Sequence, residues 1–404
     1  MDKVVASLRE AFEGAFGSAN SRRQLLVVSP GRTELAGNHT DHQGGRVIAA
    51  AVSCGIAVEA WRNGTSVAHV ESAGFDTYDI DVASDTPIEL ERNTTAALVR
   101  GVVAGVRAIG VDVQGFDMKV TSSVPSGGGL SSSAAFELAL AWALLGLEGC
   151  ADEPRDPAAD ESLAVQLAKI GQAAERDWFG KSCGLMDQLA VALGGVAAID
   201  FAGDEPAIKR IGFDFTECGY TLCLIDAHCD HSLYTQEYSQ VPHDMTAVAE
   251  FLGGGVLSQV PESAFYDHLE DVRAALGDVP ALRAMHYYYE MRLVEGRAQA
   301  LRRGDFDAFL RLTRMSGASS AQYLQNVSTY DRASQPAMVT LALADTLLAG
   351  EGACRIHGGG FGGTVQAFVP ADRLGWFRAE IDRHLGEGSC QVYDVGGAGA
   401  RCVR

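Results

Sequence analysis

Arg32, Glu34, Asn38, His39, Asp41 and His42 crowd into eleven residues of the segment 29–45 (SPGRTELAGNHTDHQGG). A turn with so many fixed donors and acceptors can hold a polyol; a solvated loop is the plain alternative. Residues 124–135 (VPSGGGLSSSAA) set three glycines and four serines at the head of a long helical pattern. Glycines let backbone N–H groups approach an anion, the helix start adds unpaired N–H groups, and the serines add hydroxyls or an Mg²⁺ ligand. This is the equipment of a phosphate cradle, although a glycine-rich turn with a serine N-cap looks the same. The common phosphate loop GxxxxGK[ST] is absent: Gly180-Lys181-Ser182 supplies its tail, but Glu175 stands where the first glycine belongs. Residues 357–364 (HGGGFGGT) formally fit GxGxxG. They link two expected strands and open no helix of a βαβ unit, so the dinucleotide reading is rejected.

The elements that must position these segments are legible. Strands are expected at 24–29, stopped by Pro30-Gly31, and at 46–61, 65–71, 115–122, 195–201, 220–227, 354–358, 364–370 and 390–395. Helices are expected at the amphipathic N-terminus and at 95–109, 131–147, 161–178, 184–193 and 371–386, with 244–349 mainly helical. Helices and strands are grouped, which makes the fold class α+β with mixed sheets. A domain of residues 1–205 and another of 206–404 are expected, divided near Gly203 and Pro206.

Composition narrows the function classes. With 32 basic against 52 acidic residues the net charge is −20, which argues against holding nucleic acid or anionic lipid by bulk charge. No apolar run approaches a membrane span, and no signal peptide is visible. Nine cysteines, an odd count with no CxxC pair, suit reduced thiols in a cytoplasmic protein. Forty-six glycines exceed the usual ~7%, and the three segments hold many of them.

In this order and spacing the three segments resemble the GHMP kinase superfamily. Residues 31–45 (GRTELAGNHTDHQGG) narrow the likeness to galactokinases, whose signature runs approximately G-R-x-N-x-[IL]-G-E-H-T-D-Y-x-x-G. Ala174-Glu175 followed by 183–188 (CGLMDQ) looks like the catalytic-aspartate segment, and 231–233 (HSL) through Glu237-Tyr238 like the sugar-stacking segment. The resemblance implies an ATP-dependent sugar 1-kinase that makes galactose 1-phosphate and ADP. In it Asp187 and Arg32 are catalytic. Arg32, Asn38, His39, Asp41, Gly184, Asp187 and Tyr238 line the sugar. Pro125, Gly127, Gly128, Gly129, Leu130, Ser131, Ser132 and Ser133 hold the ATP phosphates, and Ser133 and Glu175 hold Mg²⁺. Residues 358–363 pack beside the active site and support the other two loops. The partners implied are the sugar and ATP, in a monomer or small homo-oligomer.

The chain departs from the family pattern at several positions. Asn38 replaces the signature glutamate, which in the family helps hold the sugar C6 hydroxyl; His42 replaces a tyrosine and Glu34 an asparagine. Losing the carboxylate weakens repulsion of a C6 carboxylate, so galacturonate, arabinose and N-acetylgalactosamine stand beside galactose. A non-catalytic galactose/ATP sensor is disfavoured by the intact 131–135 run (SSSAA), and a mevalonate- or homoserine-type kinase by the H-T-D of residues 39–41.

Overall fold

A computed structural model describes residues 3–16, 25–125, 128–149, 160–181, 183–229, 234–329, 331, 333–361 and 363–403. Among them, twelve strands form two sheets: β1 (Leu25–Ala36), β2 (Arg46–Arg62), β3 (Val67–Ser72), β4 (Tyr78–Asp81), β5 (Phe116–Ser122), β6 (Val196–Asp200), β7 (Ala207–Arg210), β8 (Tyr220–Asp226), β9 (Ala353–Ile356), β10 (Thr364–Pro370), β11 (Cys390–Tyr393) and β12 (Arg401–Val403). The larger sheet has the order β12-β1-β2-β5-β3-β4, with β6 on β2 and β7 on β6; the smaller has the order β11-β8-β10-β9. Every pairing is antiparallel except β3 with β5, so the larger sheet is mixed.

The centre of the larger half is the helix Ser132–Leu147 (SSAAFELALAWALLGL), buried from Ala134 to Leu145. A helix apolar on every side must lie inside. This one packs on β1 and β2 and is flanked by the helices Thr95–Ala108, Glu161–Ala173 and Met186–Leu193. The N-terminal helix Lys3–Phe16 is amphipathic as expected, and seats Val5, Leu8 and Phe12 with Val28 and Ala57. In the other half, the helices Pro336–Leu348 and Leu374–Leu385 cover the smaller sheet. The helix Asp278–Arg302 packs along β1 and β2. The halves share core: Phe215, Phe306, Phe309 and Phe368 join the cluster built around Trp142.

Several expectations shift. β1 does not stop at Pro30; it runs to Ala36 through a register shift between Pro30 and Arg32. A bulge accommodates the missing proline N–H, and the continued strand carries Arg32 and Glu34 inward. The helix expected over 161–178 is an α-helix to Ala173, widened into a π-turn over Ala174–Phe179. The strands β4, β7 and β12 were not anticipated. The expected boundary at 205/206 falls between the paired strands β6 and β7, and β12 returns to the larger sheet. Among the described residues no disulfide forms.

Candidate active site

Arg32, on the far end of β1, grips Asp187 with two arms of its guanidinium: Nε donates to Oδ1 at 2.6 Å and Nη2 to Oδ2 at 2.7 Å. Its Nη1 donates to the Gly129 carbonyl, and its backbone N–H to the Leu130 carbonyl at 3.1 Å. Arg32 therefore fastens the glycine loop to the sheet as well as to Asp187. Ser131, left-handed at φ 59°, turns its hydroxyl onto Asp187 Oδ2 at 2.7 Å. Asp187 sits in the first turn of the helix Met186–Leu193, where the helix dipole favours an anion. Burial pushes the Asp187 pKa up, but Arg32 and Ser131 outweigh it, and the carboxyl is held below its ordinary value.

Asp41 lies against Gly184, near enough to Asp187 for the two carboxylates to repel. A Cβ on Gly184 would lie 2.0 Å from Asp41 Oδ2, so any side chain there would push this carboxylate aside. Burial, with repulsion from Asp187, pushes the Asp41 pKa up to about 6. Gly184→Ala must displace this carboxylate. On the activity that the resemblance implies, it should lower kcat/KM for the sugar by roughly 100-fold, the usual penalty of misplacing a binding group by about 1 Å, while KM for ATP stays within about twofold. Initial-rate kinetics with each substrate varied check this.

Glu175 lies in the π-turn, a feature that often re-aims a functional side chain. Its Oε1 accepts from Ser133 Oγ at 2.9 Å and from Lys181 Nζ at 2.8 Å; its Oε2 accepts from Gln188 Nε2 at 3.0 Å. Gln188 also donates to Glu137 at 3.1 Å. Burial and the neighbouring Glu175 raise the Glu137 pKa well above its ordinary value. Ser132 and Ser133 open the Ser132–Leu147 helix, whose first N–H groups have no partner within the helix. Gly128 and Gly129 are half-buried beside it and Pro125 is exposed; Gly127 lies outside the described residues.

His39 is left-handed at φ 58°. Its Nε2–H donates to the Gly359 carbonyl at 2.8 Å, which leaves Nδ1 to accept from His42 Nε2–H at 3.0 Å; His42 Nδ1 then accepts from Gln43 at 3.3 Å. Burial lowers the His39 pKa to about 3 and the His42 pKa to about 4, so both rings are neutral. Tyr238, 42% exposed, packs its ring 5.5 Å from that of His39. It also lies against Gly359, where a Cβ would meet the ring at 2.0 Å.

One matched position does not face this space. Asn38 is fully buried: its Nδ2 donates to the Gly358 carbonyl, and its Oδ1 accepts from Asn326 at 2.8 Å and Ser320 at 3.2 Å. Its amide knots the turn after β1 to the 358–360 loop instead of lying open to a ligand. His39 has both ring nitrogens engaged. The loop 358–360 thus braces the first segment. Residues 231–233 lie outside the described residues.

The comparisons with known proteins bear on this geometry. The galactokinase galactose-binding signature matches residues 10–61, and the GHMP kinases N terminal domain matches residues 97–195. A galactokinase from Actinobacillus pleuropneumoniae serotype 3 is 30% identical over 359 residues, 88% of either chain. The chain belongs to the galactokinase family. A family member from Roseiflexus sp. is 30% identical over 388 residues, 93% of this chain and 90% of its own. Lactococcus lactis galactokinase complexed with galactose matches the fold with a TM-score of 0.80 at 23% identity, covering 98% of this chain and 99% of its own. Methanococcus jannaschii mevalonate kinase matches at 0.63 and 14% identity, covering 95% and 100%. The fold is that of the GHMP kinases.

Glu34, a candidate of the polar turn at the family's asparagine position, is buried and paired with the buried Arg355 at 2.8 Å instead of lying open to a ligand. Other residues around the galactokinase-type site escaped the sequence reading. Thr33 holds His357 Nε2 at 3.0 Å, and His357 lies behind Gly129. Lys181 carried the only available signal, as the tail of an incomplete phosphate-loop pattern. The others had none, because their partners are more than 200 residues away along the chain.

Proposed function

We propose that the protein transfers the γ-phosphoryl group of ATP to O1 of α-D-galactose, and that Asp187, Arg32, Asp41, Ser133 and Glu175 do this work. The observation that carries the assignment of roles is the bidentate Arg32–Asp187 pair, joined through Arg32 to the glycine loop and flanked by Asp41. Asp41 accepts hydroxyls of the sugar, and Tyr238 and His39 offer it ring faces. The anomeric oxygen lies at Asp187. The backbone around 128–132 cradles the ATP phosphates. The bond from O1 to the γ-phosphorus forms as the bond to the bridging oxygen of ADP breaks. The hydroxyl proton passes to Asp187. A carboxylate held below its ordinary value is a weak base. It suffices because a loose phosphoryl transfer asks mainly for positioning and charge stabilisation. Arg32 supplies that stabilisation, being charged at every working pH.

Ser133 Oγ and Glu175 Oε1, 2.9 Å apart, are hard oxygen donors of the kind Mg²⁺ takes alongside nucleotide phosphates and water. Among the described residues no group of three or more His, Cys, Asp and Glu could hold a metal, so the nucleotide would complete the ion's shell. Bound there, Mg²⁺ would neutralise charge on the phosphates. Among the described residues no helix is long and apolar enough to cross a membrane, in keeping with a cytoplasmic enzyme.

The buried Asn38 favours a second reading, a sugar that differs from galactose at C6, because this turn lacks the family carboxylate. An ADP-release assay with Mg-ATP over galactose, galacturonate, arabinose and N-acetylgalactosamine separates the two. Galactose should give the highest kcat/KM, and its KM should rise as pH falls through about 6, where Asp41 gains a proton. Preferred turnover of another sugar replaces galactose; no turnover of any aldose removes the kinase.

A further inference from the structure

The π-turn that carries Glu175 ends by folding the next residues back over it: the backbone N–H groups of Gly180 and Lys181 both donate to the Glu175 carbonyl at 3.0 Å. The Lys181 side chain then runs inward from a half-exposed stem and sets its ammonium 2.8 Å from Glu175 Oε1. That oxygen also accepts from Ser133, in the first turn of the helix that the glycine loop opens. An ammonium carries three donors, and Glu175 takes one of them. Burial works against its charge, but Glu175 and Asp187 hold the lysine above its ordinary pKa, so it stays a cation.

In this state the corner is balanced pair by pair, Arg32 with Asp187 and Lys181 with Glu175. An arriving nucleotide adds several negative charges, and a metal ion on Glu175 would free the ammonium. We propose that Lys181 is a phosphate-binding residue, its ammonium resting on Glu175 and turning to the terminal phosphates of the nucleotide when these occupy the corner between Ser133 and Glu175. The inference rests on the reading of that corner as the phosphate and metal site. It assigns a function to a lysine that the incomplete GxxxxGK[ST] pattern had left without one. A four-carbon stem, 52% exposed, has the freedom for so short a swing.

Calorimetric titration of the full chain with ATP, ADP and AMP, in Mg²⁺, tests this. Lys181→Met should weaken ATP and ADP by roughly tenfold, the size of one charge-assisted hydrogen bond. AMP should be unaffected, and Lys181→Arg should recover most of the loss. Removing the lysine also strands the buried Glu175, so a purely structural role is read from AMP, which needs the same fold but carries no terminal phosphates. Equal weakening of AMP and ATP overturns the proposal. Ser133→Ala, run in parallel, probes the corner itself. Unchanged ATP affinity in Lys181→Met alone removes only the proposal; unchanged affinity in both variants removes the corner reading and the proposal with it.

Discussion

Asp187→Asn is expected to lower kcat by roughly three orders of magnitude while galactose and ATP still bind. The substituted amide is nearly isosteric but carries no charge, and one of its two ends can only donate. Arg32 gives Asp187 two hydrogen bonds, at 2.6 and 2.7 Å, and Ser131 adds a third. The amide must turn a donor toward one of these donors, so the guanidinium loses half of its grip. It also loses the counter-charge that fixes it beside Gly129. On the roles proposed for the pair, two functions fail together: the acceptor for the hydroxyl proton, and the aim of the cation at the transferred group. Arg32→Met should fall by a comparable factor, and the double variant by little more than either, because groups that act as a unit are not additive. ADP release measures the rate, and calorimetry with each substrate measures binding. A variant that keeps a tenth of the parent kcat would remove Asp187 from the chemistry. The pH profile offers an independent check. Asp187 is held below its ordinary value and stays ionised throughout the working range. Activity lost as pH falls through about 6 therefore reports Asp41, and should appear in KM for the sugar rather than in kcat.

What the sequence disclosed depended on how locally each feature was encoded. The helices 132–147 and 186–193 were legible because apolar residues fill each run and glycine precedes it. Arg32, Asp41 and Asp187 were legible because each sits in a short segment of recognisable composition. β12 and β7 were not, since strands of three and four residues carry no readable period. Nor was the extension of β1, where Pro30 gave a stop signal that a bulge overrides. Asn38 is the instructive case. The sequence showed that a carboxylate was missing, which suggested a less charged sugar pocket. The fold shows an amide whose partners are Ser320, Asn326 and Gly358, about 300 residues downstream. No local pattern encodes such a pairing. Lys181 teaches the same point in reverse: a failed motif match still marked a lysine that the chain brings onto the buried Glu175 by another route.

The largest loss of stability should come from Arg297→Met. Arg297 and Glu290 are both fully buried, two turns apart on the helix Asp278–Arg302, and Arg297 Nη2 donates to Glu290 Oε1. That oxygen also accepts from Ser316 at 3.0 Å and from the Gly37 N–H at 3.2 Å, while Arg297 Nη1 donates to the Leu35 carbonyl at 3.2 Å. Burial pushes the Glu290 pKa up, but Arg297, His286 and Arg355 outweigh it, and the carboxyl stays below its ordinary value. A depressed carboxyl contributes stability that is present above the unfolded value and lost as pH falls toward the folded one. At neutral pH the pair is therefore fully engaged. Removing the arginine leaves an uncompensated buried carboxylate, which costs about 3–5 kcal/mol. Adding Glu290→Gln should restore much of that, because the stranded charge, more than the lost attraction, is the penalty. Arg292→Met, which breaks an exposed pair with Glu262, should cost less than about 1 kcal/mol. Urea denaturation at pH 7 distinguishes the three, and equal losses in Arg297→Met and Arg292→Met would refute the argument. The pair also reaches the active site: Leu35 and Gly37 bracket the end of β1, beyond which the turn carries His39 and Asp41. The restored double variant should therefore fold yet show a raised KM for the sugar, since a stable helix without its two polar anchors no longer fixes where that turn begins.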